Sequence, residues 1–403
     1  MPGSLSLFSP AVLGIIAAAA ILLNLLGGAW RQVAFLVLNL TFLVVCLLGP
    51  FGTLVTLVFC LLGYGLIRGV AAGGTRSFAA SVAGLTLIFL YMKHYTFLDV
   101  LVPQSLLTSA LSTVGLSFLF FKILHVVIDT RSGTLGAIDL PTYANYCTNF
   151  STFAMGPIQR YQDHRAQWAD VTTEPSFEHY VDAVLRILVG LVKAYVLAEW
   201  IKPYTGALSD DPADRSLAAL ITGVYAFNVY LYLNFAGYCD VAIGAGTLFG
   251  VRPPENFDKP FLARNVSDFW QRQHRSLTMW LTDYVFSPTF KSLLKTRWFV
   301  KHPLVAVNLA LMVTMTVSGL WHGTSLGFLL FGLVHGAYLV LYRTWDTLLL
   351  RMVGRKRARD WRAHWWVQAA GVLITFNAVS FSFVFFLLDA GTAVRLLGRL
   401  IWP

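Results

Sequence analysis

The chain has 403 residues, 57% of them hydrophobic and 12% charged, with a mean hydropathy of +0.64; a soluble globular chain carries about 25% charged residues. Its apolar runs reach the roughly 20 residues that cross hydrocarbon as helix, which excludes a barrel, whose spans are short and alternate in polarity. The net charge of +10 comes with no nucleic-acid-binding module, so it sets membrane orientation and no nucleic-acid partner is expected.

An all-α polytopic membrane protein follows. Apolar runs predict spans at 11–27, 33–49, 51–67, 79–98 and 105–128. The first lacks a basic start and a small-residue cleavage site, so it reads as a retained helix and not a signal peptide. "LLGPFG" separates the second from the third, and "RGVAAGGTRS" reads as a short polar turn. Residues 125–168 are mixed in polarity and broken by glycine and proline, the pattern of interfacial or re-entrant structure.

Further spans are predicted at 181–200, 216–235, 303–319, 325–343 and 367–388. Between them, residues 236–302 are too polar to span and too aromatic for a simple loop; shallow amphipathic helices that cradle a site are expected. The cluster "RMVGRKRARDWRAHWW" at 351–366 lies between two spans and belongs in the cytoplasm by the positive-inside rule. No fixed-period repeat is present, which weakens an inverted-repeat transporter. Cys46, Cys60, Cys147 and Cys239 show no metal or disulfide spacing and read as small core residues.

The polar groups inside this scaffold carry the functional signal. "SGLWHGTSLGFLLFGLVHG" at 318–336 holds His322 and His335 in an otherwise apolar run. A histidine at membrane depth faces protein or a cavity, either bonding between helices or doing chemistry. Trp321 precedes His322, and Gly323 follows it, where a missing side chain admits backbone or ligand. His335 lies 13 residues on, about 220° round a straight helix, so the two share a face only if the helix bends or breaks. His94, His125, His164, His179, His302 and His364 sit at predicted span ends or in polar connections, which assigns them to the interface. His274 differs. Positions 270, 273, 277, 280, 281 and 284 approximate one helical stripe, with Asp268, Arg272 and Arg275 opposite. Either an amphipathic surface helix or a histidine delivered to a buried cavity fits that pattern.

No His-x-x-x-His with an intervening glutamate and no three-ligand zinc grouping appears, so no bound metal is expected. A neutral imidazole in a dry setting suits general-base activation of a hydroxyl that attacks an activated acyl group.

"GPIQRY" at 156–161, "NFAGYCDVAIGAGTLFGVRPPENFDKPF" at 234–261, "DFWQRQHRSLTMWLTDYVF" at 268–286, "WHG" at 321–323 and His335-Gly336 follow one another in an order and spacing that resembles the membrane-bound O-acyltransferase family. They are similar above all to its bacterial branch of alginate O-acetylation and teichoic-acid D-alanyl transfer proteins. The resemblance implies helices ringed around a central funnel, with re-entrant and interfacial helices, in one membrane-embedded acyltransferase domain over 1–403. Residues 1–114 would be N-terminal helices and 115–390 the motif-bearing core.

His322 takes the family's catalytic place and His274 its second histidine. Gln273 stands where the family has tryptophan and Arg275 where it has an apolar residue, which puts the pocket around His274 in question. Trp321, Gly323, Trp270, Gln273 and His335 are expected to line or support the site. Asp240 could orient a histidine or satisfy a buried arginine, and Arg160 reads as a helix-end or pocket cation.

The resemblance further implies a bacterial inner-membrane enzyme and an acyl donor as co-substrate, either acetyl-CoA-like or a carrier-protein thioester. Expected partners are membrane lipids, an envelope glycopolymer, a cytoplasmic carrier protein and an extracytoplasmic acetyltransferase-like relay protein. Acetyl transfer to an envelope polysaccharide leads, with D-alanyl transfer as the alternative and a non-catalytic transporter or scaffold as the remaining reading. A tag inserted within Arg355–Arg359 should be protected in intact cells; labelling by an impermeant reagent added outside would reverse the assigned orientation.

Overall fold

The computed structural model describes residues 28–93, 115–169, 177–208 and 215–401, with Gly14, Ile16, residues 18–20, Leu23, Leu26 and Tyr95. The span predicted at 11–27 lies largely outside them, as do His94 and residues 105–114 of the fifth span. All regular structure among the described residues is helical.

Helix α1 (Gly28–Phe42) runs through a wider turn at Leu43–Leu48 into α2 (Gly49–Ala72). Gly49 takes φ +68° and Pro50 offers no N–H, so the helical path departs there from regular geometry. The spans predicted at 33–49 and 51–67 thus form one apolar run, Trp30–Ala72. Helices α3 (Thr75–Lys93) and α4 (Leu116–Ser132) follow, the second ended by Gly133 at φ +75°.

Residues 139–169 fold into α5 (Leu140–Thr148), a single turn at Phe150–Phe153 and α6 (Tyr161–Ala169). Asp139 and Asn149 cap the first two through Thr142 N–H at 2.8 Å and Ser151 N–H at 3.1 Å. Helix α7 (Phe177–Leu191) continues helically to Ile201, and α8 (Leu217–Leu248) is a single 32-residue helix.

Three expectations need correction. The stretch 236–248 is no shallow segment but the second half of α8, because its glycines and alanines allow close packing; a Cβ on Gly244 would stand 2.7 Å from Ala183 O. Residues 268–286 do not form one striped helix. They divide into α9 (Val266–Arg272), α10 (Arg275–Leu281) and a wider turn at Thr282–Phe286, broken at His274, which takes φ +48°. His125 and His164 are not interfacial but fully buried, each satisfied in part by an aromatic partner: Tyr146 Oη lies 2.7 Å from His125 Nε2, and Trp168 Nε1–H donates to His164 Nε2 at 2.9 Å.

After α11 (Ser287–Leu293), α12 (Pro303–His322) and α13 (Leu326–Ala363) form a hairpin, followed by α14 (Trp365–Ser382) and α15 (Ala390–Ile401). Helix α13 departs from helical geometry at Gly354 (φ 80°), so its basic end is a separate short piece. Six helices among the described residues are long and apolar enough to cross a membrane.

The chain divides into two compact units. The first comprises Met1–His94, Val102–Lys193 and Gly237–Glu255, the second Tyr95–Leu101, Ala194–Ala236 and Asn256–Pro403. In the first, Phe35, Phe42, Phe150, Trp168 and Phe249 form an aromatic core. Three cysteines, Cys60, Cys147 and Cys239, are buried as expected.

In the second unit α12 and α13 approach backbone to backbone. A Cβ on Gly319 would stand 2.9 Å from Gly332 Cα, and one on Gly332 would collide with Met315 O. Small residues permit such contact where hydrocarbon offers no hydrophobic drive between helices. Gly332→Val should therefore destabilise the protein by about 1–3 kcal/mol or more, read as a lowered unfolding temperature in detergent. Gly65→Ala, whose Cβ meets nothing within 4 Å, is the control and should not lose stability.

Candidate active site

The end of α12 and the break between α9 and α10 bring the two foremost histidines together. Their imidazole centroids lie 6.1 Å apart at an interplanar angle of 61°. His322 is the last residue of α12, half-buried. Gly323 then runs extended (φ −162°, ψ 177°). Its φ suits any residue; the glycine is required by space, since a Cβ would stand inside the Phe328 ring. Around His322 lie Trp321 at 4.8 Å, Phe386 at 4.9 Å and Phe331 at 6.0 Å between centroids.

His274 occupies the left-handed region that disfavours a residue with a Cβ. Two contacts hold it there. Asn256 O accepts from Arg275 N–H at 2.9 Å, and Asn256 Oδ1 accepts from Ser276 N–H at 3.2 Å and Ser276 Oγ–H at 2.8 Å. The Ser276 backbone donor fixes which end of the Asn256 amide is oxygen. That oxygen lies 3.2 Å from His274 Nδ1, so Nδ1 carries the proton and Nε2 keeps its lone pair. Burial holds this imidazole down to about 3, so it is neutral. Phe235 and Trp321 pack on its ring at 4.9 and 5.7 Å.

His335 is satisfied on both sides. Trp270 Nε1–H donates to its Nδ1 at 3.3 Å, and its Nε2–H donates at 2.8 Å to Ser382 Oγ, which in turn donates to Val379 O at 2.7 Å. All three side chains are buried. His335 is therefore an interhelical tie among α9, α13 and α14. The break at 323–325 removes the straight-helix separation of His322 and His335, and Phe331 packs on both.

Gln273 is buried at the α9–α10 break, its Oε1 without a hydrogen-bond partner. Asp240 and Arg160 belong to the first unit. Asp240 accepts from Arg186 Nη2 at 2.9 Å and Lys193 Nζ at 2.6 Å, and Arg186 also donates to Glu255. Burial alone would raise the Glu255 carboxyl, but the hydrogen bonds from Arg186 outweigh it and hold it below the usual range. Of the two roles open to Asp240, it satisfies an arginine. Arg160 immediately precedes α6, its carbonyl accepting from His164 N–H at 3.1 Å. Among the described residues no group of three metal-ligating side chains is present.

A model of the membrane-bound O-acyltransferase family matches residues 83–387. The chain belongs to that family. It is thus a multi-pass acyltransferase-family protein of the bacterial inner membrane, with six apolar helices among the described residues. It is 27% identical over 334 residues to the teichoic acid D-alanyltransferase of Bacillus subtilis (strain 168), covering 82% of each chain. The enzyme of the same name from Streptococcus thermophilus is 30% identical over 288 residues, 69% of each chain. The probable alginate O-acetylase AlgI of Azotobacter vinelandii is 30% identical over 247 residues, 60% of this chain but 46% of its own length.

Sequence reasoning missed Asn256, although it sits within the quoted "PENFDKPF"; nothing in its spacing ties it to His274, 18 residues on. It also missed Phe331 and Phe386, which are indistinguishable in sequence from other span aromatics. Trp270→Phe should strand the His335 Nδ1 acceptor and cost about 1–3 kcal/mol, seen as a lower unfolding temperature; an unchanged transition would remove the Trp270–His335 tie.

Proposed function

We propose that the chain transfers a small activated acyl group to a hydroxyl of a cell-envelope glycopolymer, or to an extracytoplasmic relay protein, with His322 as general base. The observation that carries this reading is the meeting of His322 and His274, 6.1 Å between ring centroids, inside an aromatic wall at the end of a spanning helix. The acceptor oxygen attacks the thioester carbonyl carbon as His322 takes its proton. The C–O bond forms, the C–S bond breaks, and the proton passes to the departing thiolate. His274 Nε2 offers a lone pair beside this path, and the aromatic shell limits water that would hydrolyse the donor.

In this reading the acyl donor, acetyl-CoA-like or a carrier-protein thioester, arrives from the cytoplasm, and no bound metal takes part. The helices form one acyltransferase domain around a funnel, with 115–390 as its core and 1–114 as N-terminal helices. Trp321, Gly323, Trp270, Gln273 and His335 shape the pocket, while Asp240 and Arg160 support the fold. For the acyl group itself, D-alanyl transfer is favoured by one observation over the acetyl reading that the sequence put first. The D-alanyltransferase relatives align over 69–82% of their length, whereas the first alginate O-acetylase relative aligns over less than half of its own.

Purified His322→Ala protein, reconstituted with donor and acceptor, should remain folded and lose at least about 10²-fold in acyl incorporation, the low end for a general base. Near-wild-type turnover would return His322 to an interhelical role. The mass added to the envelope glycan distinguishes alanyl from acetyl.

A further inference from the structure

Away from the histidines, the second unit holds a cavity of about 600 Å³, within the roughly 300–1,000 Å³ typical of ligand sites. Trp345, Trp361 and Trp366 stand around it, and α14 contributes a wall of Ala370, Gly371, Ile374 and Ala378. Neither His274 nor His322 lines it. A Cβ on Gly371 would stand 2.5 Å from Arg264 O, so the loop carrying Arg264 lies directly against α14, and Arg264 is one of the residues lining the cavity.

Two features define what such a space accepts. The first is charge. Arg264 and Arg362 line the cavity, and residues 351–366 carry six lysines and arginines against the single acid Asp360. Asp346 is the acidic side chain in the lining; it pairs with Arg362 and fixes that guanidinium in place. The second is the surroundings. The cavity lies between two candidate membrane spans, Leu326–Ala363 and Trp365–Leu387, and its lining residue Ile374 is 70% exposed, so one side opens on a surface that lipid covers. Tryptophans favour the headgroup level of a bilayer, and basic pockets between spans on the cytoplasmic side attract anionic headgroups.

We propose that this cavity binds an anionic phospholipid, with its phosphate beside Arg264 and Arg362 and an acyl chain along the α14 wall. A soluble anion would gain nothing from the aliphatic wall, and a zwitterionic lipid little from the charge. The site would fasten the basic end of α13 to α14 at the membrane surface, independently of acyl transfer.

The test is native mass spectrometry of the delipidated full-length protein, titrated with phosphatidylglycerol, phosphatidylcholine or inorganic phosphate. Phosphatidylglycerol should be retained about five-fold or more over phosphatidylcholine, and inorganic phosphate should not displace it. Arg362→Gln would strand Asp346, so charge is tested with Arg264→Gln and volume with Ala370→Phe, both at exposed positions. Each variant should unfold at the wild-type temperature yet lose about five-fold in phosphatidylglycerol retention. Equal retention of the two lipids, displacement by phosphate, or unchanged retention in both variants would overturn the proposal.

Discussion

The arrangement of the second unit depends on the backbone contact between α12 and α13 at Gly319 and Gly332. Because the helices touch without side chains between them, the connection at residues 323–325 must be tight. That leaves Gly323 against the Phe328 ring and stops α12 at His322. The imidazole is thus presented from a helix end and not from a helix flank, where α13 would cover it. The same contact brings Phe331 against both His322 and His335, so one aromatic ring separates the half-buried histidine from the fully buried one.

Polar groups at this depth follow a single constraint: each must find its partner within the protein. His335 does so through Trp270 and Ser382, and His274 through Asn256. Asn256 Oδ1 serves three donors at the α9–α10 break and its carbonyl a fourth, and that convergence compensates the cost of a left-handed histidine. In the first unit the same constraint gathers Arg186, Lys193, Asp240 and Glu255 into one charge cluster. The cluster is only partly buried and its pairings overlap: Asp240 holds both Arg186 and Lys193, and Arg186 holds both Asp240 and Glu255, so loss of Lys193 or Glu255 alone leaves the Arg186–Asp240 pair in place.

Two histidines in one apolar run therefore have different surroundings. His335 is the satisfied interhelical histidine that was one of the two readings open for His322. Its donor and acceptor are both engaged, and its tautomer is set by the indole. His322 stands half-buried at a helix end, its ring 6.1 Å from that of His274.

The sequence by itself determined the helical membrane class, because span length and the absence of charge are local properties that bilayer thickness makes decisive. It placed two spans within a few residues, 303–319 against Pro303–His322 and 367–388 against Trp365–Leu387, but divided the run Trp30–Ala72 in two and ended α8 early; it singled out His274 and His322 through ordered motifs that join the chain to its family. What it did not determine were matters of contact. An even stripe at 270–284 gave no sign of a break, because the break is held by Asn256 from a distant loop. The stretch 236–248 read as the start of a shallow interfacial region, because its small residues and the single Asp240 gave no sign that it packs as the continuation of α8. Burial of His125 and His164, the partners of Asp240 and the different surroundings of His322 and His335 were decided only by tertiary structure. Each depends on which group from elsewhere in the chain satisfies a donor or acceptor, and hydrogen-bond partners at long separation leave no period in a sequence.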